Sequence, residues 1–389
     1  VHIKQYFYKL GHCQDLAIEE YSFLTGDRSY VVDRGWLLGK VLVNTNLTGS
    51  LVFSGSVLGL VSQNDFSKVL ELLKFELLAF REANPEVKKL GLHLPKKYLS
   101  DALVLAKKSG FKKVNLSAKV PNFGSWKHVR TWFLVISFRN QWLIGKIDTY
   151  SNQELWSVLD QNLPHRNMKP GIINLKLARS LLNLSKKLTI WDPFCGQGGL
   201  LVAGLDLKQN FLASDILSSC LLQTQENFIE AKSIWKKNWQ HLNFNNDFSP
   251  ANLVTEILDA RHLSLSKHFS FFKELAIVTE GYLGDNFSQP PKLLDAHLEL
   301  QKIHDLWSQV ILQASKLRIT ELVFCLPVYL QIQTTHLKPL WPKFQNELIK
   351  NTCYRFYQFT NQKSGILYNR SNSYVGHLIV KLISDQCLN

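Results

Sequence analysis

The segment Asp192-Pro193-Phe194-Cys195-Gly196-Gln197-Gly198-Gly199 has the residue types of a turn that cradles a ligand. Its flanks predict a strand over Leu188–Trp191 and a helix opening at Gly199. Glycines between them let the backbone turn sharply and approach a ligand without Cβ interference. Asp192 itself can pair with an ammonium group. The next predicted strand ends in Ser214-Asp215-Ile216, 23 residues after Asp192, where an acid can hold both hydroxyls of a ribose. A third ends in Leu258-Asp259-Ala260-Arg261, where Asp259 can accept the exocyclic amine of an adenine. A fourth runs into Thr279-Glu280-Gly281-Tyr282-Leu283-Gly284.

A ligand carrying ammonium, ribose and adenine answers all three acids, and S-adenosylmethionine carries them. A dinucleotide calls for Gly-x-Gly-x-x-Gly with a pyrophosphate at the helix start, and Gly196-Gln197-Gly198-Gly199 lacks the last glycine. The turn therefore predicts a cofactor site of Asp192, Pro193, Phe194, Cys195, Gly196, Gly198, Asp215, Ile216, Asp259 and Ala260. Cys195 belongs to it by position, not as a nucleophile. Six scattered cysteines with no C-x-x-C pair predict free thiols in a reducing compartment and no metal.

The elements that must position these residues fall into two patterns. Over residues 1–149 short strands and helices predict an α+β module. It includes an amphipathic helix over Asp65–Arg81, with Leu70, Leu72, Leu73, Phe75, Leu77 and Leu78 as its buried stripe, and a hairpin turning at Arg139-Asn140. Residues 150–170 turn polar and read as an inter-domain linker. From 171 to 389 strands alternate with helices, which predicts an α/β domain with a mostly parallel sheet. Tyr354–Thr360 and Gly376–Ile383 lack a helix between them, so an antiparallel pair is expected at the sheet edge.

Asp192–Gly199 resembles the first motif of amino-group methyltransferases acting on RNA and DNA. Arg166-Asn167-Met168-Lys169-Pro170-Gly171, with Leu175-Lys176-Leu177-Ala178-Arg179, resembles the segment before that motif in tRNA guanosine-N2 methyltransferases carrying a THUMP domain. Val323–Tyr329 and Ile366-Leu367-Tyr368-Asn369-Arg370 are similar to that family's late strands. The resemblance covers Ile147–Ile383 and is weaker over residues 1–146. It implies a C-terminal Rossmann-like class I methyltransferase domain behind an N-terminal ferredoxin-like and THUMP-like module. It implies too that the segment holding Pro170 closes over S-adenosylmethionine.

Methylating an exocyclic amine requires acceptors for its hydrogens, because the nitrogen lone pair is delocalised into the base. It also favours an aromatic ring stacked on the base. Tyr282 is the expected stacking residue, and Glu280 or Thr279 the expected acceptor. The related motif reads Thr-Glu-Pro-Tyr-Leu-Gly, so Gly281 departs from a proline, and the exchange is expected to loosen the loop. The implied reaction is methylation of a guanosine N2, at the tenth position of tRNA. An adenine-N6 or other amino-methyltransferase on DNA or ribosomal RNA shares these motifs. A weakly catalytic cofactor- and RNA-binding partner subunit is the reading that Gly281 keeps open.

Charge points the same way. The net charge is +14, and between Lys88 and Arg130 eleven Lys or Arg face one acid, Asp101. A polyanion such as tRNA or another structured RNA suits that surface, although a solvated lysine face would look the same. With 46% hydrophobic and 20% charged residues the chain is globular, and no apolar run reaches the roughly 20 residues of a membrane span. A cytoplasmic enzyme without a membrane partner is expected, with a small activating protein subunit left open.

Overall fold

The computed structural model describes residues 4–151, 153–166, 172–239, 251–272, 274–285, 290–329, 345–347, 350–360, 364–369 and 373–384. The chain divides between Gln153 and Glu154 into two units. The division falls inside the stretch expected as a linker, and residues 153–162 of that stretch are helical.

In the first unit the strands are β1 (Tyr6–Leu10), β2 (Val31–Asp33), β3 (Trp36–Gly39), β4 (Leu51–Ser62), β5 (Lys89–His93), β6 (Lys113–Ser117), β7 (Trp132–Phe138) and β8 (Gln141–Tyr150). Its helices are α1 (Gln14–Thr25), α2 (Phe66–Ala83), α3 (Leu99–Lys108) and α4 (Phe123–His128). One sheet joins all the strands in the order β2-β3-β1-β4-β8-β7-β5-β6. The unit is α+β, as expected. β4 runs for 12 residues through Gly55 and Gly59, which interrupt its apolar pattern. Gly55 and Gly145 lie in adjacent strands, and a Cβ on either would strike the Phe7 ring at 2.4 or 2.3 Å. On α2, Phe66, Val69, Leu73 and Leu77 are buried, whereas Phe75 and Leu78 are exposed, contrary to the expected stripe. The hairpin turns at Arg139-Asn140, both in the left-handed region at φ 43° and 58°.

The second unit opens with α5 (Gln153–Asn162) and α6 (Leu175–Asn183). α5 was hidden by its polar composition, yet Leu155, Trp156 and Leu159 form a buried face, and Trp156 meets Trp235 edge-on at 6.0 Å. There follow β9 (Thr189–Asp192), α7 (Gly199–Ala203), β10 (Asn210–Asp215), α8 (Ser218–Trp239), β11 (Leu253–Ile257), β12 (Leu275–Val278) and α9 (Leu293–Lys316). β13 (Glu321–Tyr329), β14 (Arg355–Phe356), β15 (Ile366–Tyr368) and β16 (Val375–Ile383) complete it.

The sheet order is β11-β10-β9-β12-β13-β16-β14, with β15 also on β16. β11 to β13 are mutually parallel, and β16 is antiparallel to β13. This is a Rossmann-like, doubly wound arrangement, with the antiparallel strand near the edge where the sequence puts it. On one face α9 packs Ile303, Trp307, Val310 and Ile311 against Trp191, Leu212, Ile277 and Phe324. On the other, Gly204 lets Phe211 and Leu182 of α6 come together, since a Cβ there would sit 2.6 and 2.7 Å from them. Among the described residues no helix is long and apolar enough to cross a membrane.

Candidate active site

The order of the sheet reverses between β9 and β12, and a crevice at the carboxyl ends of such strands is where open α/β sheets take ligands. Asp192 ends β9 and is buried, its Oδ1 accepting the Phe194 N–H at 3.1 Å. The Thr279 hydroxyl also bonds this carboxyl. Burial, together with the charges of Asp215 and Glu280 and against the relief of these hydrogen bonds, pushes its pKa up to about 7.

The turn that follows takes its shape from glycine. Gly196 and Gly198 have φ of 53° and 78°, and Gly198 caps α7. Asp215 secures the turn as well as facing the cavity: its Oδ2 accepts the Gly196 N–H and its Oδ1 the Leu217 N–H, both at 3.0 Å. Two residues that no motif marked hold the turn from α8. Thr224 donates to the Gly196 carbonyl at 2.7 Å, and Asn227 donates to the Gln197 carbonyl at 2.9 Å. Asn227 also accepts the His165 N–H, which ties the segment before α6 to the same turn. Their only sequence signal is i,i+3 spacing of two polar residues on the buried face of a helix.

A cavity of about 340 Å³ opens beside this turn. Pro193, Phe194, Asp215, Ile216, Asp259 and Ala260 line it, with Arg261, Gly281, Tyr282 and Leu306. Six of the predicted cofactor residues thus share one wall. Asp192 and Cys195 lie buried behind it, and Gly196 and Gly198 shape the turn; Pro170 lies outside the described residues. Burial, and next the Asp192 charge, hold the Cys195 thiol far above its ordinary pKa, which disfavours the thiolate. Asp259 is engaged by its neighbour: Oδ1 accepts the Arg261 N–H and Nε–H, and Oδ2 accepts from Nη2 at 2.5 Å. These bonds hold its pKa below the usual carboxylate range. The expected adenine acceptor therefore carries a guanidinium at its side.

The acceptor loop corrects two expectations. Thr279 is completely buried, accepting the Gly281 N–H at 3.0 Å while bonding Asp192. It braces the site and cannot reach a substrate amine. Gly281 is not a loosened proline position. Its φ is 76°, its N–H is used, and a Cβ would lie 2.4 Å from Cζ2 of Trp307. Proline fixes φ near −65° and has no N–H, so this loop is built for glycine. Tyr282 is on the cavity wall, and Glu280, the residue before the wall residue Gly281, has a side chain 17% exposed. The Tyr282 hydroxyl shares its one proton between Asp285 and Glu299 of α9, each at 3.1 Å. Burial, and then these two acids, raise the phenol well above its ordinary pKa, which keeps it neutral and tethered.

No family model and no curated protein matches the chain. Among solved structures it is similar to a predicted N6-adenine-specific DNA methylase from Listeria monocytogenes, at 9% identity over 97% of this chain and 96% of that one, with a TM-score of 0.45. It is similar to SMU.472 in complex with SAH, at 11% identity over 99% of each chain, with a TM-score of 0.44. NSun6 from Pyrococcus horikoshii with SFG aligns with 51% of this chain and 48% of its own at 12% identity, with a TM-score of 0.31. At such distances the chemistry of the site has to come from its own residues.

Two outcomes follow from this geometry. Gly281→Ala should destabilise the second unit by about 1–3 kcal/mol, and Gly281→Pro by more than about 3 kcal/mol, read from urea unfolding. Because the Asp192 pKa is raised on folding, the stability it confers is present below about pH 4 and is lost as pH climbs toward 7. Asp192→Asn removes that loss, so its Tm relative to the ligand-free parent protein should rise between pH 4 and pH 8. A difference independent of pH would show that Asp192 ionises normally.

Proposed function

We propose that this chain transfers a methyl group from S-adenosylmethionine to an exocyclic amine of a structured RNA, N2 of a guanosine in tRNA. The observation that carries the reading is one cavity at the ends of successive strands, walled by Asp215, Asp259, Gly281 and Tyr282, with Glu280 next to Gly281 in the chain. The donor set fits the cofactor. Asp215 is the ribose acceptor and Asp259 the adenine acceptor, while Phe194, Ile216, Ala260 and Leu306 supply apolar wall for the base. The mutual repulsion of Asp192, Asp215 and Glu280 is what a cationic ligand would relieve.

When bound, S-adenosylmethionine supplies an electrophilic methyl group on a sulfonium. The chain's own residues do the rest. Tyr282, anchored by Glu299 and Asp285, offers a ring face on which a base can stack without an ordering cost at each turnover. Glu280 accepts the amine hydrogens and so turns the nitrogen lone pair toward the methyl group. No covalent enzyme intermediate is required.

The RNA partner and the guanosine rest on the resemblance of Arg166–Gly171 and Thr279–Gly284, and on charge. In the first unit Lys88, Lys89, Lys96, Lys97, Lys107, Lys108, Lys112 and Lys113 are all exposed. Lys89 and Lys113 are cross-strand neighbours, a like-charge pairing that favours an anionic partner. In this reading the first unit is a THUMP-like RNA-capture module, and the enzyme acts in the cytoplasm.

Incubation with labelled cofactor and total tRNA, ribosomal RNA and DNA should label tRNA alone and yield N2-methylguanosine by mass spectrometry. N6-methyladenine in place of it would establish the adenine-directed reading, and cofactor binding without transfer would leave a binding subunit. Tyr282→Ala should lower turnover about 10- to 100-fold, the worth of one stacked base, with cofactor affinity by calorimetry unchanged. Replacing Lys107, Lys108, Lys112 and Lys113 with Gln should weaken RNA binding and reduce the log–log salt slope by about 3. An unchanged slope would reduce those lysines to a solvated face.

A further inference from the structure

Glu280 has a partner that no sequence motif announces. Its Oε1 lies 2.8 Å from Nε2 of His377, 97 residues further along the chain. His377 stands on β16, opposite Pro327 of β13 on one side and Tyr368 of β15 on the other. The Tyr368 ring meets the imidazole edge-on, with centroids 5.9 Å apart at 73°. The imidazole is therefore held by neighbours on both sides. Each side chain of the Glu280–His377 pair is 17% exposed, shielded but within reach of water.

The two ring nitrogens are not equivalent. Nδ1 is buried and has no hydrogen-bond partner among the described residues. A proton there would be a buried donor without an acceptor, costing about 1–3 kcal/mol, whereas a proton on Nε2 is met by a carboxylate. The tautomer is thus Nε2–H, donating to Oε1. Oε2 of Glu280 has no partner among the described residues.

We infer that His377 is a positioning residue for methyl transfer, holding Oε1 of Glu280 so that Oε2 is left to accept the substrate amine hydrogen. This rests on the amine-methylation reading above. As the nitrogen lone pair forms the N–C bond, the methyl C–S bond breaks and its electron pair stays on sulfur. The nitrogen, now cationic, passes one proton to Oε2, giving a carboxylic acid that returns the proton to water. His377 keeps its proton throughout and fixes which oxygen receives the new one.

The test has a ligand-free arm and a kinetic arm. In the apo protein, 15N shifts assigned through His377→Gln should show a protonated Nε2 and a bare Nδ1, and an Nδ1–H tautomer would overturn the assignment. With labelled cofactor and RNA, His377→Ala should lower kcat about 10- to 100-fold, leaving cofactor Kd and the KM for RNA within about twofold. His377→Gln, whose amide can donate to Oε1, should recover most of that loss, and equal kcat for His377→Ala and the parent protein would overturn the positioning role. Should His377→Ala fail to fold, the Gln variant and the tautomer still decide: a Gln variant as impaired as Glu280→Ala would refute the inference. A parent protein that binds cofactor yet methylates no nucleic acid would instead overturn the amine-methylation reading, and the positioning role with it.

Discussion

Asp192 puts a carboxyl group beyond the reach of water, between the ends of β9 and β12, and much of the second unit is arranged around that burden. A buried carboxyl needs hydrogen-bond donors, and it draws them from both loops that matter. The Phe194 N–H comes from the glycine-rich turn, and the Thr279 hydroxyl comes from the acceptor loop. Thr279 then accepts the Gly281 N–H. One acid thereby couples the glycine-rich turn to the loop after β12 through three hydrogen bonds. The same acid makes the site electrostatically incomplete, because Asp215 and Glu280 stand close enough to disfavour its charge.

Apolar packing sets how close these loops approach. Trp307 of α9 stacks on Phe324 at 4.1 Å and leans on Phe194 at 5.5 Å. Its indole also fills the space where Gly281 would carry a side chain. One helix, α9, thus supports the turn through Phe194, excludes any other residue at 281, and anchors the Tyr282 hydroxyl through Glu299. Gly284 allows the last contact, since a Cβ there would lie 2.8 Å from Glu299 Cγ. Rigid support of this kind is what a reaction limited by alignment requires.

The charges are divided between the units. The crevice of the second unit gathers carboxylates, while the first unit carries a run of exposed lysines.

Much of this was legible in the residues because it is local. A strand, a glycine turn and a helix start announce themselves by period and by backbone freedom, so Asp192–Gly199 and the acids at 215 and 259 could be placed before any fold was known. The α/β alternation and the antiparallel end of the sheet followed from the same local signals. Other features depended on residues far apart in the chain. The helix over residues 153–162 was masked by polar composition until Trp156 had Trp235 to pack against. Whether Phe75 belonged inside α2 turned on which face met the sheet. At Gly281 the sequence alone suggested a weakened loop, and only the indole of Trp307 and a φ of 76° showed that glycine is required. The Glu280–His377 pair spans 97 residues, and nothing in either neighbourhood foretells it. The sequence determined which chemical groups were available at the strand ends. The tertiary structure decided which of them are exposed, which are braced and which face one another, because those depend on through-space packing that no spacing along the chain encodes.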